Sequence, residues 1–123
     1  NMVRDFTYVD DLVNAIYLLA FKNPLEAQKS KEIIQNDSLS DIAPFRIVNI
    51  GNSKPINLLD FITQLEKILG INAKKKFLSM QDGDIYKTYS NTDLLRNLTG
   101  FQPKTTIHEG ITRFVEWYKS YYK

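Results

Sequence analysis

Between Asn57 and Gly70 the apolar residues Leu58, Phe61, Ile62, Leu65, Ile68 and Leu69 recur at helical spacing, and no other stretch of the chain constrains its fold as tightly. Asn57 reads as the N-cap, with Asp60 at the third helical position as a weaker form of the capping box. Gly70 reads as a left-handed C-cap. Thr106-x-x-Glu109 is a strict capping box and predicts a last helix with Ile107, Ile111, Phe114, Val115 and Tyr118 on one face. Asp10 reads as the N-cap of a first helix whose face is Leu12, Val13, Ala15, Ile16, Leu19 and Ala20. Asn23-Pro24 ends that helix, because proline disfavours helical geometry in the residue before it. Asp93 to Leu98 predicts a short helix closed by Gly100.

The strand signals are shorter. Phe6-Thr7-Tyr8-Val9 is β-branched and aromatic, Phe45 to Ile50 is the clearest strand, and Lys76 to Met80 is a second one before a turn at Gln81-Asp82-Gly83-Asp84. About four helices alternating with two or three short strands predict an α/β domain. So few strands make a poor sheet alone, so the pattern reads as part of something larger. Residues 25–43 are polar and without a clear period; they predict a surface insertion, with room for a short helix from Leu25 to Ile34.

A length of 123 residues fits one domain, residues 1–123, and a 43% hydrophobic content can build its core. Sixteen basic and fourteen acidic residues leave a net charge of +2, which points to neither nucleic acid nor membrane as a partner. The Lys74-Lys75-Lys76 run reads as a solvated stretch before a strand, with a phosphate-attracting rim as the other reading. There is no cysteine, which excludes disulfides and thiolate metal sites and suits a reducing cytoplasm. One histidine, His108, argues against a histidine metal cluster. No apolar run is long enough to span a bilayer. Asn36-Asp37-Ser38 and Asn97-Leu98-Thr99 match the glycosylation sequon by chance. The abrupt start Asn1-Met2-Val3-Arg4-Asp5-Phe6 reads as a piece cut from a longer protein.

Catalytic signatures are missing from the sequence. It has no G-x-G-x-x-G, no P-loop and no G-x-S-x-G, and no tyrosine is followed by lysine four residues on. Two polar clusters remain. Arg4-Asp5 precedes an apolar run, and a guanidinium can hold a phosphate by two parallel hydrogen bonds; a plain Arg–Asp surface pair is the other reading. In Gln81-Asp82-Gly83-Asp84 the glycine permits a tight turn and Asp84 could accept from vicinal hydroxyls; an ordinary acidic turn is the other reading.

Five segments in register resemble the extended short-chain dehydrogenases/reductases. They are Arg4-Asp5-Phe6-Thr7-Tyr8-Val9-Asp10-Asp11, Ala43-Pro44-Phe45-Arg46-Ile47-Val48-Asn49-Ile50-Gly51-Asn52, Met80-Gln81-Asp82-Gly83-Asp84, Gly100-Phe101-Gln102-Pro103-Lys104-Thr105 and Phe114-Val115-Glu116-Trp117-Tyr118. The second and third most resemble nucleotide-sugar epimerases of the UDP-glucuronate 4-epimerase type. The resemblance implies that this is the C-terminal, substrate-binding part of such an enzyme. It implies that NAD⁺, held by an N-terminal Rossmann domain outside this sequence, takes hydride from sugar C4, with a Y-x-x-x-K tyrosine as base. Hydride then returns to the other face.

By the same resemblance the substrate-binding residues are Arg4 at the diphosphate, Asp84 at the ribose hydroxyls and Gln81 where relatives carry a phosphate-binding arginine. Asp82 replaces a proline and brings negative charge near the phosphates. No catalytic, cofactor-binding or metal residue is expected here, so the chain alone is expected to be inactive. Its partners would be a UDP-sugar and the Rossmann domain, with a homodimer for the whole enzyme and self-association for the isolated chain. The same framework serves nucleotide-sugar dehydratases and decarboxylases, and a non-catalytic binding module is the alternative of another class.

Overall fold

Local capping chemistry sets most of the helix ends in the computed structural model, which describes residues 2–30 and 33–122. Asn57 Oδ1 accepts from Leu59 N at 2.9 Å and starts α3, Leu58–Leu69; Gly70 closes it at φ 74°. Thr106 Oγ1 accepts from Glu109 N at 3.2 Å and starts α5, Ile107–Tyr121. The carboxylate of Glu109 turns to Arg113 Nη2 at 2.6 Å, an i, i+4 pair on the exposed side. Helix α4, Asp93–Thr99, ends at Gly100 with φ 70°.

The first helix departs from the sequence reading. Helix α1 spans Val9–Ala20, and Tyr8 stands at its N-cap without a side-chain cap. Asp10, expected as the cap, lies inside the first turn, where its charge still faces the positive helix end. The neighbouring Asp11 reaches across the fold, and its Oδ2 accepts from Lys104 N at 3.1 Å and Thr105 N at 2.9 Å. Helix α2, Pro24–Ser30, brings the helices among the described residues to five; it overlaps the 25–34 range left for a short helix and starts one residue before it. Asn23 Oδ1 accepts from Leu25 N at 3.0 Å, and Pro24 occupies the first helical position, where a missing N–H costs nothing. Glu32 and Lys31, also in that range, lie outside the described residues.

The strands fall elsewhere than expected. Phe6–Val9, Phe45–Ile50 and Lys76–Met80 carry no ladder; the two strands are β1, Val3–Arg4, and β2, Ile56–Asn57. They pair antiparallel, Val3 with Asn57 and Arg4 with Ile56. A strand is defined by its neighbour, and the apolar runs at 45–50 and 76–80 have none among the described residues. Phe45, Ile47, Phe77 and Leu78 are accordingly exposed.

Two helix pairs make up the core: α3 packs on α5, and α1 packs on α4. Ala15 on α1 and Leu95 on α4 are fully buried, as is Pro103; Leu98, Ile111 and Val115 are nearly so. The class is α/β, with a two-stranded sheet lying beside the helices. Among the described residues no helix is long and apolar enough to cross a membrane.

Candidate functional site

Strand β1 sits in the middle of a three-line arrangement. On one side it pairs with β2; on the other Val3 bridges Lys87 in parallel. Val3 N donates to Tyr86 O at 2.9 Å, and Thr88 N donates to Val3 O at 3.1 Å. Just upstream lies the turn at 81–84, closed by Asp84 N donating to Gln81 O at 3.1 Å, with Gly83 at φ 90°. At that φ an L side chain is strained, so glycine suits the turn.

This ladder brings β1, which carries Arg4, beside the line that leads out of the 81–84 turn, but it does not join the side chains of Arg4, Gln81 and Asp84. Arg4 is half-buried on β1, and its Nη1 donates to Val3 O at 3.0 Å, leaving further N–H donors of the guanidinium. Gln81 and Asp84 are exposed. Among the described residues no ion pair joins Arg4 to Asp82 or Asp84. Since Lys87 lies beside Val3, Asp84 is no more than ~10 Å of chain from the level of β1.

Neither of the two main cavities holds these residues. One, of about 430 Å³, is apolar and bounded by Phe6, Tyr8, Phe61, Leu65, Ile111 and Phe114, with Phe6 stacked on Phe61 at 4.4 Å. The other, of about 390 Å³, is polar and bounded by Lys22, Glu26, Ser30, Arg46 and Asn97. Gln81 and Asp84 are exposed to solvent, and Arg4 stays half-buried on β1.

Sequence reasoning singled out Asp5 only as a possible surface partner of Arg4 and missed that its carboxylate is the most connected side chain of this region. Its Oδ2 accepts from Ser53 N at 3.1 Å and Ser90 N at 3.0 Å, and its Oδ1 from Lys54 N at 3.3 Å. Its own N–H donates to Thr88 Oγ1 at 3.0 Å. Ser53 adopts a left-handed backbone, φ 57°, and its hydroxyl donates to Ser90 O at 2.7 Å and lies 3.0 Å from Thr92 Oγ1. Buried Asn52 donates from Nδ2 to Thr105 O at 3.1 Å. The available signal was the Gly51-Asn52-Ser53 turn, which the sequence shows only as punctuation after an apolar run.

Beneath the second cavity, Arg46 grips Asp37 through Nε to Oδ1 at 2.9 Å and Nη2 to Oδ2 at 2.8 Å, both side chains largely buried. The Arg46 guanidinium holds the Asp37 carboxyl below its ordinary range; burial opposes this and is outweighed. A depressed folded pKa contributes stability that is complete above the unfolded pKa of about 3.9 and is lost as pH falls through the lower folded value. Asp37→Asn is expected to cost about 1–3 kcal/mol at neutral pH. It is also expected to flatten the stability loss below pH ~4. Urea midpoints across that range check both, and an unchanged acid limb would show that the pair does not hold the loop.

No family model matches the chain. It is 44% identical over 122 residues to a probable UDP-glucuronate 4-epimerase of Rhizobium meliloti, covering 99% of this chain and 36% of that protein. It is likewise 44% identical over 123 residues to protein CapI of Staphylococcus aureus, covering 100% of this chain and 36% of that one.

The chain is homologous to about a third of a UDP-glucuronate 4-epimerase.

The crystal structure of a UDP-glucuronic acid 4-epimerase of Bacillus cereus in complex with NAD superposes with a TM-score of 0.67 at 25% identity, covering 99% of this chain and 32% of that one. The α/β class expected from the sequence is thus also that of the matching third of this epimerase. The epimerase homologues are isomerases, and the chain spans about a third of the length of those it matches first.

Proposed function

We propose that the chain is the C-terminal, substrate-binding part of an NAD-dependent nucleotide-sugar 4-epimerase acting on UDP-glucuronate. Arg4 binds the diphosphate, Asp84 accepts from the ribose hydroxyls, and Gln81 lies beside the phosphates. The observation that carries this reading is the 44% identity to a UDP-glucuronate 4-epimerase along nearly the whole chain. The parallel bridge between Val3 and Lys87 supports it, because it sets the two segments that bear these residues side by side.

The described residues do not fit a dinucleotide. Gly51 and Gly110 are closed against Ser90 and Tyr8, and Gly70, Gly83 and Gly100 are lone residues at positive φ, two of them helix C-caps. None forms the glycine-rich strand-to-helix loop that cradles a pyrophosphate. NAD is therefore assigned to the rest of the enzyme, and no step is routed through it here.

What this chain's own residues do is bind and orient. A guanidinium offers paired donors to phosphate oxygens, and a carboxylate accepts from vicinal hydroxyls, which together fix the direction in which the sugar points. Titration calorimetry of the purified chain is expected to give heat with UDP-glucuronate and with UDP. Arg4→Ala and Asp84→Asn are each expected to weaken binding about 10- to 100-fold, the size of a lost charge-assisted hydrogen bond. The chain alone is expected to show no epimerisation. Unchanged affinity in both variants, or turnover by the chain alone, would overturn the assignment.

A further inference from the structure

We infer that Asp5 is a positioning residue for the nucleotide: its carboxylate locks β1, which carries Arg4, in register with the 81–90 segment, which carries Gln81 and Asp84. This rests on the reading of Arg4 and Asp84 proposed above.

The ladder between those two lines is weak by itself. It consists of one bridge, Val3 with Lys87, and two hydrogen bonds. A one-residue slip in such a pairing would turn every side chain on the sliding line to the opposite face. Nothing in the exposed 81–87 stretch resists that slip through burial. Asp5 supplies what the ladder lacks. It bonds the second line at two points two residues apart, receiving Ser90 N on Oδ2 and donating its own N–H to Thr88 Oγ1, both at 3.0 Å. The same carboxylate receives Ser53 N and Lys54 N from a third segment. That segment in turn holds Ser90 O through the Ser53 hydroxyl at 2.7 Å. Each partner is a fixed backbone group or a short hydroxyl, so a slip of one residue would break together the bonds that run to Thr88 and Ser90, while Ser53 N and Lys54 N keep the carboxylate in place. Three acceptor contacts use most of the lone pairs a carboxylate offers, so Asp5 is committed to this clamp and is not free to pair with Arg4.

The test uses ¹⁵N-labelled chain, with Asp5→Asn as the near-isosteric variant. Asp11→Asn serves as a control, because Asp11 also accepts two backbone N–H groups but holds the 104–105 segment. In Asp5→Asn the amides of Val3 and Thr88 are expected to exchange at least ~10-fold faster, while those of α3 and α5 keep their rates. UDP is expected to shift Arg4 Nε and the Asp84 amide along one binding curve in the unsubstituted chain. In Asp5→Asn the two curves are expected to separate, each about 10-fold weaker; in Asp11→Asn they stay together at unchanged affinity. Unaltered exchange at Val3 and Thr88, or equal weakening by Asp11→Asn, overturns the role of Asp5. If UDP moves neither signal in the unsubstituted chain, the nucleotide reading itself fails. If UDP moves both and Asp5→Asn binds equally well, only the clamp fails.

Discussion

Purified alone, the chain is expected to run as a multiple of its 14.3 kDa mass by light scattering, and Ile16→Glu is expected to return it to the single-chain mass. The reason is an uncovered helix face. Along α1, Val9, Leu12, Val13, Ile16 and Tyr17 follow one another at helical spacing, and Phe21 continues the line just past its end. Ile16 is 54% exposed and Phe21 70%, whereas Ala15, one position round from Ile16, is fully buried against the core side. The whole chain exposes 9271 Å². A compact protein of this mass exposes about 6,800 Å², so the excess is roughly 2,500 Å². That exceeds the ~800 Å² per partner of a standard interface and reaches the range of obligate ones. The open apolar face of α1 is part of that excess, and such a face draws either the rest of a longer chain or another copy. With only the chain in solution, the copy is what is available. A charge at Ile16 would have to be desolvated at the centre of the contact, which costs several kcal/mol. A single-chain mass at tens of micromolar for the unsubstituted protein would count against this, as would an Ile16→Glu chain that stays associated.

The same uncovered surface explains which parts of the fold the sequence could announce. Helix ends were legible because capping is local: Asn57, Gly70, Gly100 and Thr106 each act within a few residues of themselves. Asp10 misled because a cap is chosen by backbone geometry, and the helix starts two residues earlier than that cap implies, at Val9 after Tyr8. The apolar runs at 45–50 and 76–80 have strand composition, yet composition cannot supply a neighbour, and no described segment pairs with them. The real strands, two residues each, are too short to leave a period of two.

The site was legible only through the resemblance. Arg4, Gln81 and Asp84 carry no local pattern that sets them apart from an ordinary surface pair and an acidic turn. What the structure adds is the Val3–Lys87 bridge across 84 positions of sequence and the Asp5 carboxylate bonded to residues 48, 49 and 85 positions away. Its acceptor contacts run to backbone amides, which every residue possesses, so no side-chain motif could have revealed them.

Gly51→Ala is expected to be among the most damaging small substitutions in the chain, and Ser90→Gly is expected to repair it. Gly51 is buried, and the demand on it is one of space. A Cβ there would overlap Ser90 Cβ and come within 2.7 Å of Ser90 Oγ and 3.1 Å of Asp5 Oδ2. A flexible side chain could swing aside, but Cβ of Ser90 is fixed to its backbone. The 88–90 line would therefore have to move away from 51–53, pulling Ser90 N off Asp5 and Ser90 O off the Ser53 hydroxyl. Overpacking of this kind costs about 1–3 kcal/mol, and each part-buried hydrogen bond lost adds about 1 kcal/mol. Gly100 provides the contrast: it needs glycine for its φ of 70° and has open space around it, so alanine there meets no neighbour and should cost only about 1 kcal/mol. Removing Cβ from Ser90 takes away the atom that collides while keeping the amide that Asp5 holds. The double variant Gly51→Ala, Ser90→Gly should therefore recover more stability than the two single changes predict by addition. Urea midpoints of the four chains decide it. Additive losses would show that the two segments are not in the contact described, and with that the account of how β1 and the 81–90 segment are kept in register would lose its support.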